Sequence, residues 1–314
     1  MLKKAMLIVS GGLFLLSAFA LKADLPESDF AIIGGYKRAN IKTPLSAETP
    51  VEFIGNFPTH LNKIKIWQVG VSARYAFPDF FAGCGCDSAW LKQFYLRGSI
   101  LIGKVDGGRI KSFSIVPGEE TETFSAKIKK GYSRDYDIAL GWLYPWCDNF
   151  GIGPVVGYNY NKIKSKAGRF SDDDGLDVVG LDHLRYISRF KGGYVGVDLA
   201  YFACDWKLYA GYEYHMPVWS GAFRLPGFDN DDAFSDKRTG HRGHGNVFYV
   251  DGRYQFCGCW EIGLAYRYEN YRSGKGRATP QCCIGCSEIP DDEVDRINTK
   301  YHAWSINLEL ASSF

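Results

Sequence analysis

The stretch YVGVDLAYFACDWKLYAGYEYH, residues 194–215, decides the fold. Apolar side chains recur in it at every second position, with charged residues and glycines among the residues between them. A period of two residues is the period of a β-strand. The apolar positions are Val195, Val197, Leu199 and Tyr201 before a tight turn at 203–205, and Trp206, Leu208, Ala210, Tyr212 and Tyr214 after it. The stretch therefore predicts a β-hairpin with lipid on its apolar face and a polar lumen on the other.

The first 23 residues predict a secretory signal peptide. Lys3 and Lys4 precede an apolar run, and small residues then allow cleavage after Ala20 or Ala23. Residues 24–314 are predicted to form one domain, because no Pro/Ser-rich linker divides them. Removal of residues 1–20 takes away Lys3 and Lys4 and lowers the net charge from +2 to about 0. With no basic excess, nucleic acid is not an expected partner.

The end of the chain repeats the alternation. In the last eleven residues, WSINLELASSF (304–314), the apolar side chains share one face and the chain stops at Phe314. A last strand of this kind resembles the C-terminal signal of bacterial outer-membrane barrels. The content of 36 Gly, 20 Tyr, 21 Phe and 8 Trp also favours strands and turns over helices.

The same alternation predicts ten strands, and hence an all-β, closed, antiparallel transmembrane β-barrel. Four short turns and five long loops, among them 105–128, 220–245 and 272–298, connect the strands. This arrangement predicts that the turns and both termini are periplasmic. The predicted strands are 29–41, 64–77, 90–104, 131–144, 150–163, 184–202, 206–219, 246–256, 259–271 and a last strand after residue 298.

The polar faces of these strands predict the content of the lumen. Eight strands enclose a space that side chains just fill, and ten lie near that limit. Charges of both signs predict ion pairs across the lumen, which makes a general porin physically awkward and leaves a narrow or gated pore as an alternative. The predicted lumen residues are Arg74, Arg97, Asp137, Lys207, Glu213, His215, Asp251, Arg253, Arg267 and Glu269.

Nine cysteines need an explanation in a secreted chain. Successive turns lie about 10 Å apart along the rim, because two strands at about 4.8 Å separate them, whereas a disulfide joins Cα atoms about 4.4–6.8 Å apart. Three interpretations stay open: disulfides within the chain, disulfides to another barrel or a periplasmic partner, and metal binding by Cys-x-Cys pairs. The candidates for cross-linking at the periplasmic turns are Cys84, Cys86, Cys147, Cys204, Cys257 and Cys259, and the last outer loop holds Cys282, Cys283 and Cys286.

Three stretches resemble the omptins, a family of ten-stranded outer-membrane proteases: DIALGWL (137–143), RFKGGYVG (189–196) and DNDD (229–232). Omptins use an Asp-x-His pair in the fourth outer loop and an Asp-x-Asp pair in the second. The resemblance places Asp231 at the loop-four aspartate but Ala233 at the histidine, and the second loop offers only Asp106. Without an imidazole, no base is tuned near neutral pH to activate water. The chain is therefore predicted not to be an enzyme.

Two displaced pairs keep the protease alternative open, namely Glu213 with His215 and Asp135 with Asp137. The cysteine-bearing turns, in contrast, resemble the barrels of the Protochlamydia outer membrane protein family, and this resemblance implies disulfide networks in the envelope.

The sequence thus predicts a non-enzymatic outer-membrane barrel with a structural role and, as an open possibility, a narrow pore. A displaced omptin-type endopeptidase and a surface adhesin with five long loops are the alternatives. The expected partners are outer-membrane lipid, lipopolysaccharide and other cysteine-rich envelope proteins, with no cofactor and no metal.

Overall fold

A computed structural model describes residues 28–43, 59–77, 93–116, 119–147, 149–171, 185–224, 234–240, 243–274, 276–282 and 298–314. The regular structure of these residues consists of β-strands. No helix among them has the length and apolar character needed to cross a membrane. The predicted signal peptide, residues 1–23, lies outside the described residues.

The strands form one closed antiparallel barrel of ten long strands, some of which are interrupted. The first and last strands pair with each other from Asp29 with Ser313 to Lys42 with Lys300, which closes the sheet and leaves no open edge along this stretch. The elements are β1 (Asp29–Thr43), β2 (Thr59–Ala76), β3 (Phe94–Val116), β4 (Glu119–Trp142), β5 (Tyr144–Cys147), β6 (Phe150–Ser171), β7 (Arg185–Ala203), β8 (Trp206–His215), β9 (Val218–Arg224), β10 (Phe234–Gly240), β11 (His244–Cys257), β12 (Trp260–Arg272), β13 (Gly276–Cys282) and β14 (Lys300–Ser313).

Three of the long strands are broken near the same level. β8 and β9 both pair with β7, on either side of Met216 and Pro217. On one side of this level, β8 pairs with β11 and β11 pairs with β12. On the other side, β9 pairs with β10 and β10 pairs with β13. Each of the pairs β8–β9, β10–β11 and β12–β13 therefore forms one interrupted strand of the barrel.

The two ends of the barrel differ. The hairpin end carries both ends of the described chain and the tight turns at 204–205 and 258–259. The loop end is the opposite one, where the connections between strands are long except that between β3 and β4. A band of exposed apolar residues lies between them, with Leu308 63% and Ile138 55% exposed. Such a band on a closed barrel is a lipid-facing surface, and the exposed faces of residues 194–215 confirm the predicted alternation.

The prediction of ten strands is confirmed, but the predicted loops are too long. β3 continues to Val116 and β4 begins at Glu119, so most of the predicted loop 105–128 is a hairpin. Parts of the predicted loops 220–245 and 272–298 are likewise strands β9, β10 and β13. Cys282, predicted in a loop, is the last residue of β13. These extensions follow the ladders of the barrel beyond the apolar band. In the described part of β3 and β4 there, the outward residues are polar, and the apolar residues, such as Val105 and Ile128, face the interior.

Buried side chains fill the lumen. A large apolar cluster lies at the loop end, and at the hairpin end a smaller apolar cluster lies beside charged residues such as Lys207 and Arg253. The cluster at the hairpin end comprises Tyr95, Leu143, Ala200, Phe202 and Tyr209. The larger cluster at the loop end comprises Ala39, Ile41, Leu61, Ile64, Ile66, Val105, Ile110, Ala126, Ile128, Ile163, Ala167, Tyr186, Phe190, Trp219, Val247, Tyr271, Tyr301 and Ala303.

Inward-facing glycines make room for tyrosines in this lumen. A Cβ atom at Gly141 would collide with the ring of Tyr95, and one at Gly211 would collide with the ring of Tyr249. A flat ring on a neighbouring glycine covers exposed backbone and fills the narrow interior. The glycine and tyrosine content noted in the sequence therefore has a packing function.

Candidate functional site

Lys37 links strands from distant parts of the chain inside the barrel. Its Nζ lies 3.0 Å from Oδ2 of Asp135 and 3.1 Å from Oε2 of Glu269. Glu269 also accepts a hydrogen bond of 3.1 Å from Nε of Arg267. Because Lys37 is 2% exposed, its charge is stabilised by these two carboxylates and not by bulk water.

Glu213 is the centre of the adjacent charged group. Nη2 of Arg97 donates to its Oε1 at 2.6 Å, and Nη2 of Arg267 donates to its Oε2 at 3.1 Å. Nε2 of His215 lies 2.8 Å from the same Oε2. The Glu213 side chain is fully buried, so these three contacts satisfy a carboxylate that has no access to solvent.

The two displaced pairs of the protease alternative meet around Tyr194. Its ring stacks on His215 at 4.5 Å between centroids, and its hydroxyl donates to Oδ1 of Asp137 at 3.0 Å. The structure thus brings Asp137 near Glu213 and His215, while Asp135 binds Lys37 instead.

This group is buried among the described residues. His215 is 3% exposed and lies beside Tyr271, a member of the loop-end apolar cluster, with 5.2 Å between ring centroids. Trp219 of the same cluster is fully buried and donates from Nε1 to Oγ of Ser188 at 2.9 Å. Asp106 is an exposed residue of β3, and Asp231 and Ala233 lie outside the described residues.

Arg253 holds the closing seam of the barrel at the hairpin end. Its guanidinium lies 3.1 Å from Asp29 on β1, 2.9 Å from Asp251 on its own strand and 3.0 Å from Glu309 on β14. All four residues are buried. Arg253 therefore forms ion pairs with three carboxylates at the place where the first and last strands meet.

The remaining predicted lumen residues are also inside the barrel. Arg74 stacks on Tyr209 at 3.8 Å and lies 5.2 Å from the ring of Tyr95. Lys207 forms an ion pair with Glu261, with 2.5 Å between Nζ and Oε1. A cavity of about 140 Å³ near Arg74 and Arg97 has room for a small water cluster.

Sequence reasoning did not select several partners in these networks. Asp29, Lys37, Asp198, Glu261 and Glu309 were not named as lumen residues, yet each is buried and forms an ion pair. Glu309 lies between the lipid-facing Leu308 and Leu310, so the period of two residues predicts that its side chain faces the lumen.

Four cysteines lie exposed at the hairpin end, and none of them is bonded to another cysteine among the described residues. Cys147 ends β5, Cys204 is in the β7–β8 turn, and Cys257 and Cys259 flank Gly258 in the β11–β12 turn. Cys84, Cys86, Cys283 and Cys286 lie outside the described residues, and the side chain of Cys282 is not described.

Cys204 occupies a strained backbone position. Its φ is 39°, in the region that favours glycine, and the equivalent first turn residue of the β11–β12 hairpin is Gly258 with φ 54°. A side chain at such a position costs about 1 kcal/mol. The side chain at this turn is therefore present at the expense of local stability.

We expect Cys204→Gly to raise the free energy of unfolding by about 1 kcal/mol, because glycine relieves the positive φ. Gly258→Ala should lower it by a similar amount through strain alone, since a Cβ there meets nothing within 4 Å. Urea unfolding in detergent measures both. Cys204→Ser, which keeps the strain, should change nothing, and a Cys204→Gly variant no more stable than Cys204→Ser would contradict the strain argument.

A basic patch lies on the outer wall, next to the apolar band on its loop-end side. Arg134, Lys162 and Arg189 are direct cross-strand partners on β4, β6 and β7. The ring of Tyr132 lies 5.1 Å from the guanidinium of Arg134 and 5.7 Å from Nζ of Lys164. Like charges directly opposite each other destabilise a sheet, so this patch is suited to an anionic ligand.

The comparisons with known proteins agree with this architecture. Among solved structures, the outer membrane protease OmpT from Escherichia coli matches with a TM-score of 0.65 and 12% identity, over 94% of this chain and 99% of OmpT. The toluene transporter TbuX from Ralstonia pickettii matches with a TM-score of 0.37 and 8% identity, over 92% of this chain and 90% of TbuX. At such identity the OmpT match shows the fold alone. None of the curated proteins matches the chain.

The sequence profile of one family covers nearly the whole barrel. The profile describes the Protochlamydia outer membrane protein and matches residues 32–314, from β1 to the last residue. Together with the closed barrel and its lipid-facing band, this match identifies an outer-membrane protein: the chain belongs to the Protochlamydia outer membrane protein family.

Proposed function

We propose that this protein is a structural, non-enzymatic component of the outer membrane, a filled barrel that disulfide bonds link to other envelope proteins. The observation that carries the proposal is the exposure of four thiols on three neighbouring turns at one end of the barrel. That end faces the periplasm in this proposal, because short turns and chain termini are periplasmic in bacterial outer-membrane barrels. An oxidising compartment favours disulfides over free thiols there.

The packing of the lumen favours a filled barrel over a narrow pore. Charged side chains form ion pairs from wall to wall, and a large buried apolar cluster lies between them and the loop end. Water and ions would have to displace this cluster to pass. The burial of Glu213 and His215 under the loop-end cluster likewise argues against a displaced protease site.

The basic patch supports anionic lipid as a partner in the outer leaflet, where lipopolysaccharide presents phosphate groups beside the apolar band. Exchange of Arg134, Lys162 and Lys164 for glutamine should reduce the lipopolysaccharide that is retained through purification. The matched control exchanges Arg134 for lysine and Lys162 and Lys164 for arginine, which keeps the positive charge of the patch. Equal retention in the two triple variants would refute a specific role of the patch.

Alkylation of native outer membranes followed by non-reducing electrophoresis tests the structural role. We expect the protein to migrate in disulfide-linked species that reductant converts to the monomer. Because N-ethylmaleimide blocks exchange during lysis, these species represent bonds that existed in the membrane. If the protein migrates only as a monomer without reductant, this result would contradict the proposal.

A further inference from the structure

The thiols at the hairpin end lie at the depth of the lipid headgroups. Cys147 follows Trp146, which is 73% exposed, and Cys259 precedes Trp260, which is 47% exposed. Cys204 is two residues from the exposed Trp206. A strand advances about 3.4 Å per residue, so each of these cysteines has its Cα within about 7 Å of an aromatic residue along the chain.

Exposed aromatic residues mark the boundary between hydrocarbon and headgroups. The headgroup layer on each side of the bilayer is about 5–8 Å thick, from the difference between the whole bilayer and its core. The thiols of these short turns therefore lie within or at the edge of this layer. A partner cysteine must place its Cα about 4.4–6.8 Å away, and hence at nearly the same depth.

This depth discriminates between partners. A water-soluble periplasmic protein could reach the thiols only with a cysteine on a tip that enters the headgroup layer. A second copy of this chain in the same membrane carries its own thiols at the same depth, because the two copies are identical. The thiols of two neighbouring barrels therefore lie at equal depth in the membrane, as a disulfide between them requires.

The thiols also cover a wide arc of the rim. Their turns connect β4 to β6 through β5, β7 to β8, and β11 to β12, and these strands are neighbours in the order β4-β6-β7-β8-β11-β12. The arc therefore spans six of the ten barrel strands. A barrel that is bonded through one turn still presents thiols on other sides, so that bonding can extend beyond a pair.

We propose that the disulfide partner at the hairpin end is a second copy of this chain in the plane of the membrane, and that repeated pairing builds a lateral array. The inference rests on the proposed structural function and names its partner. Each bond forms from two thiols, which lose two protons and two electrons as their sulfur atoms join. A disulfide-bearing oxidant accepts the electrons and becomes a dithiol; with oxidised glutathione the products are one protein disulfide and two molecules of glutathione.

Two tagged full-length copies test the proposal. A His-tagged and a Strep-tagged chain are produced together. Outer membranes are treated with oxidised glutathione and then with N-ethylmaleimide, and each tag is purified under non-reducing conditions. We expect species of twice the monomer mass and larger that contain both tags. A chain with Cys204 alone, the other eight cysteines exchanged for serine, should stop at the dimer, and its Cys204→Ser version should give only monomer.

The failures can be told apart. Adducts that contain one tag and a different protein, and never both tags, would overturn the second-copy proposal while leaving the structural function intact. An absence of any adduct in the wild-type chain would contradict both. Heat-dependent gel mobility checks that every variant is folded. A spin label on the Cys204-only chain measures depth, and a label far out in the aqueous phase would also overturn the proposal.

Discussion

Exchange of Arg253 for methionine is expected to prevent the barrel from reaching its stable closed form. Arg253 is the cation between Asp29, Asp251 and Glu309, at distances of 2.9–3.1 Å. Without it, three buried carboxylates face one another across the seam between β1 and β14. Removal of one partner of a buried ion pair costs about 3–5 kcal/mol, because the remaining charge is left uncompensated.

The loss should be visible as a lower urea midpoint and a smaller folded fraction on unheated gels. Arg134→Met is the matched control, since Arg134 is exposed on the outer wall, and it should change stability by less than about 0.5 kcal/mol. Adding Asp251→Asn and Glu309→Gln to Arg253→Met should restore most of the stability. A single Arg253→Met variant as stable as the wild type would disprove the role of this cation.

Exchange of Glu213 for glutamine is expected to have an effect of similar size. The substitution keeps the shape of the side chain but removes the charge that Arg97, Arg267 and His215 share. The guanidinium groups of Arg97 and Arg267 then keep Asp198 and Glu269 as ion-pair partners, at 3.6 and 3.1 Å. We expect the free energy of unfolding to fall by about 3 kcal/mol.

Asp106→Asn, at an exposed carboxylate on β3, is the control for Glu213→Gln and should be close to neutral. The measurement also separates the structural interpretation from the displaced protease site. The protease interpretation would be favoured if the wild type cleaves a dibasic peptide and the Glu213→Gln variant keeps full stability but no longer cleaves it.

Much of the fold follows from the sequence because lipid imposes one simple rule. Wherever a strand crosses the apolar band, every second residue must be apolar, and the stretches at 194–215 and 304–314 show this directly. Beyond the band the rule is reversed: the described residues of 105–128 place polar side chains outward and apolar ones, such as Ile110 and Ala126, inward, so the lipid-facing pattern does not predict the strands there. Their pairing depends on the ladder that β3 and β4 continue, which a single sequence does not reveal.

The lumen was harder to predict than the wall. The polar face of a strand identifies which residues enter the interior, and Arg97 and Glu213 were found in this way. Lys37 was missed because Tyr36 and Arg38 beside it give β1 no clear polar face at that point. The partner of each charge depends on strand tilt and register, so that Lys37 meets Glu269 across 232 positions of sequence.

Planar-bilayer recording from the purified wild-type protein tests the central claim, that side chains fill the closed barrel from wall to wall. We expect a baseline without discrete conductance steps, under conditions in which a general porin shows such steps. Stable, reproducible single-channel steps from the folded wild-type protein would contradict it.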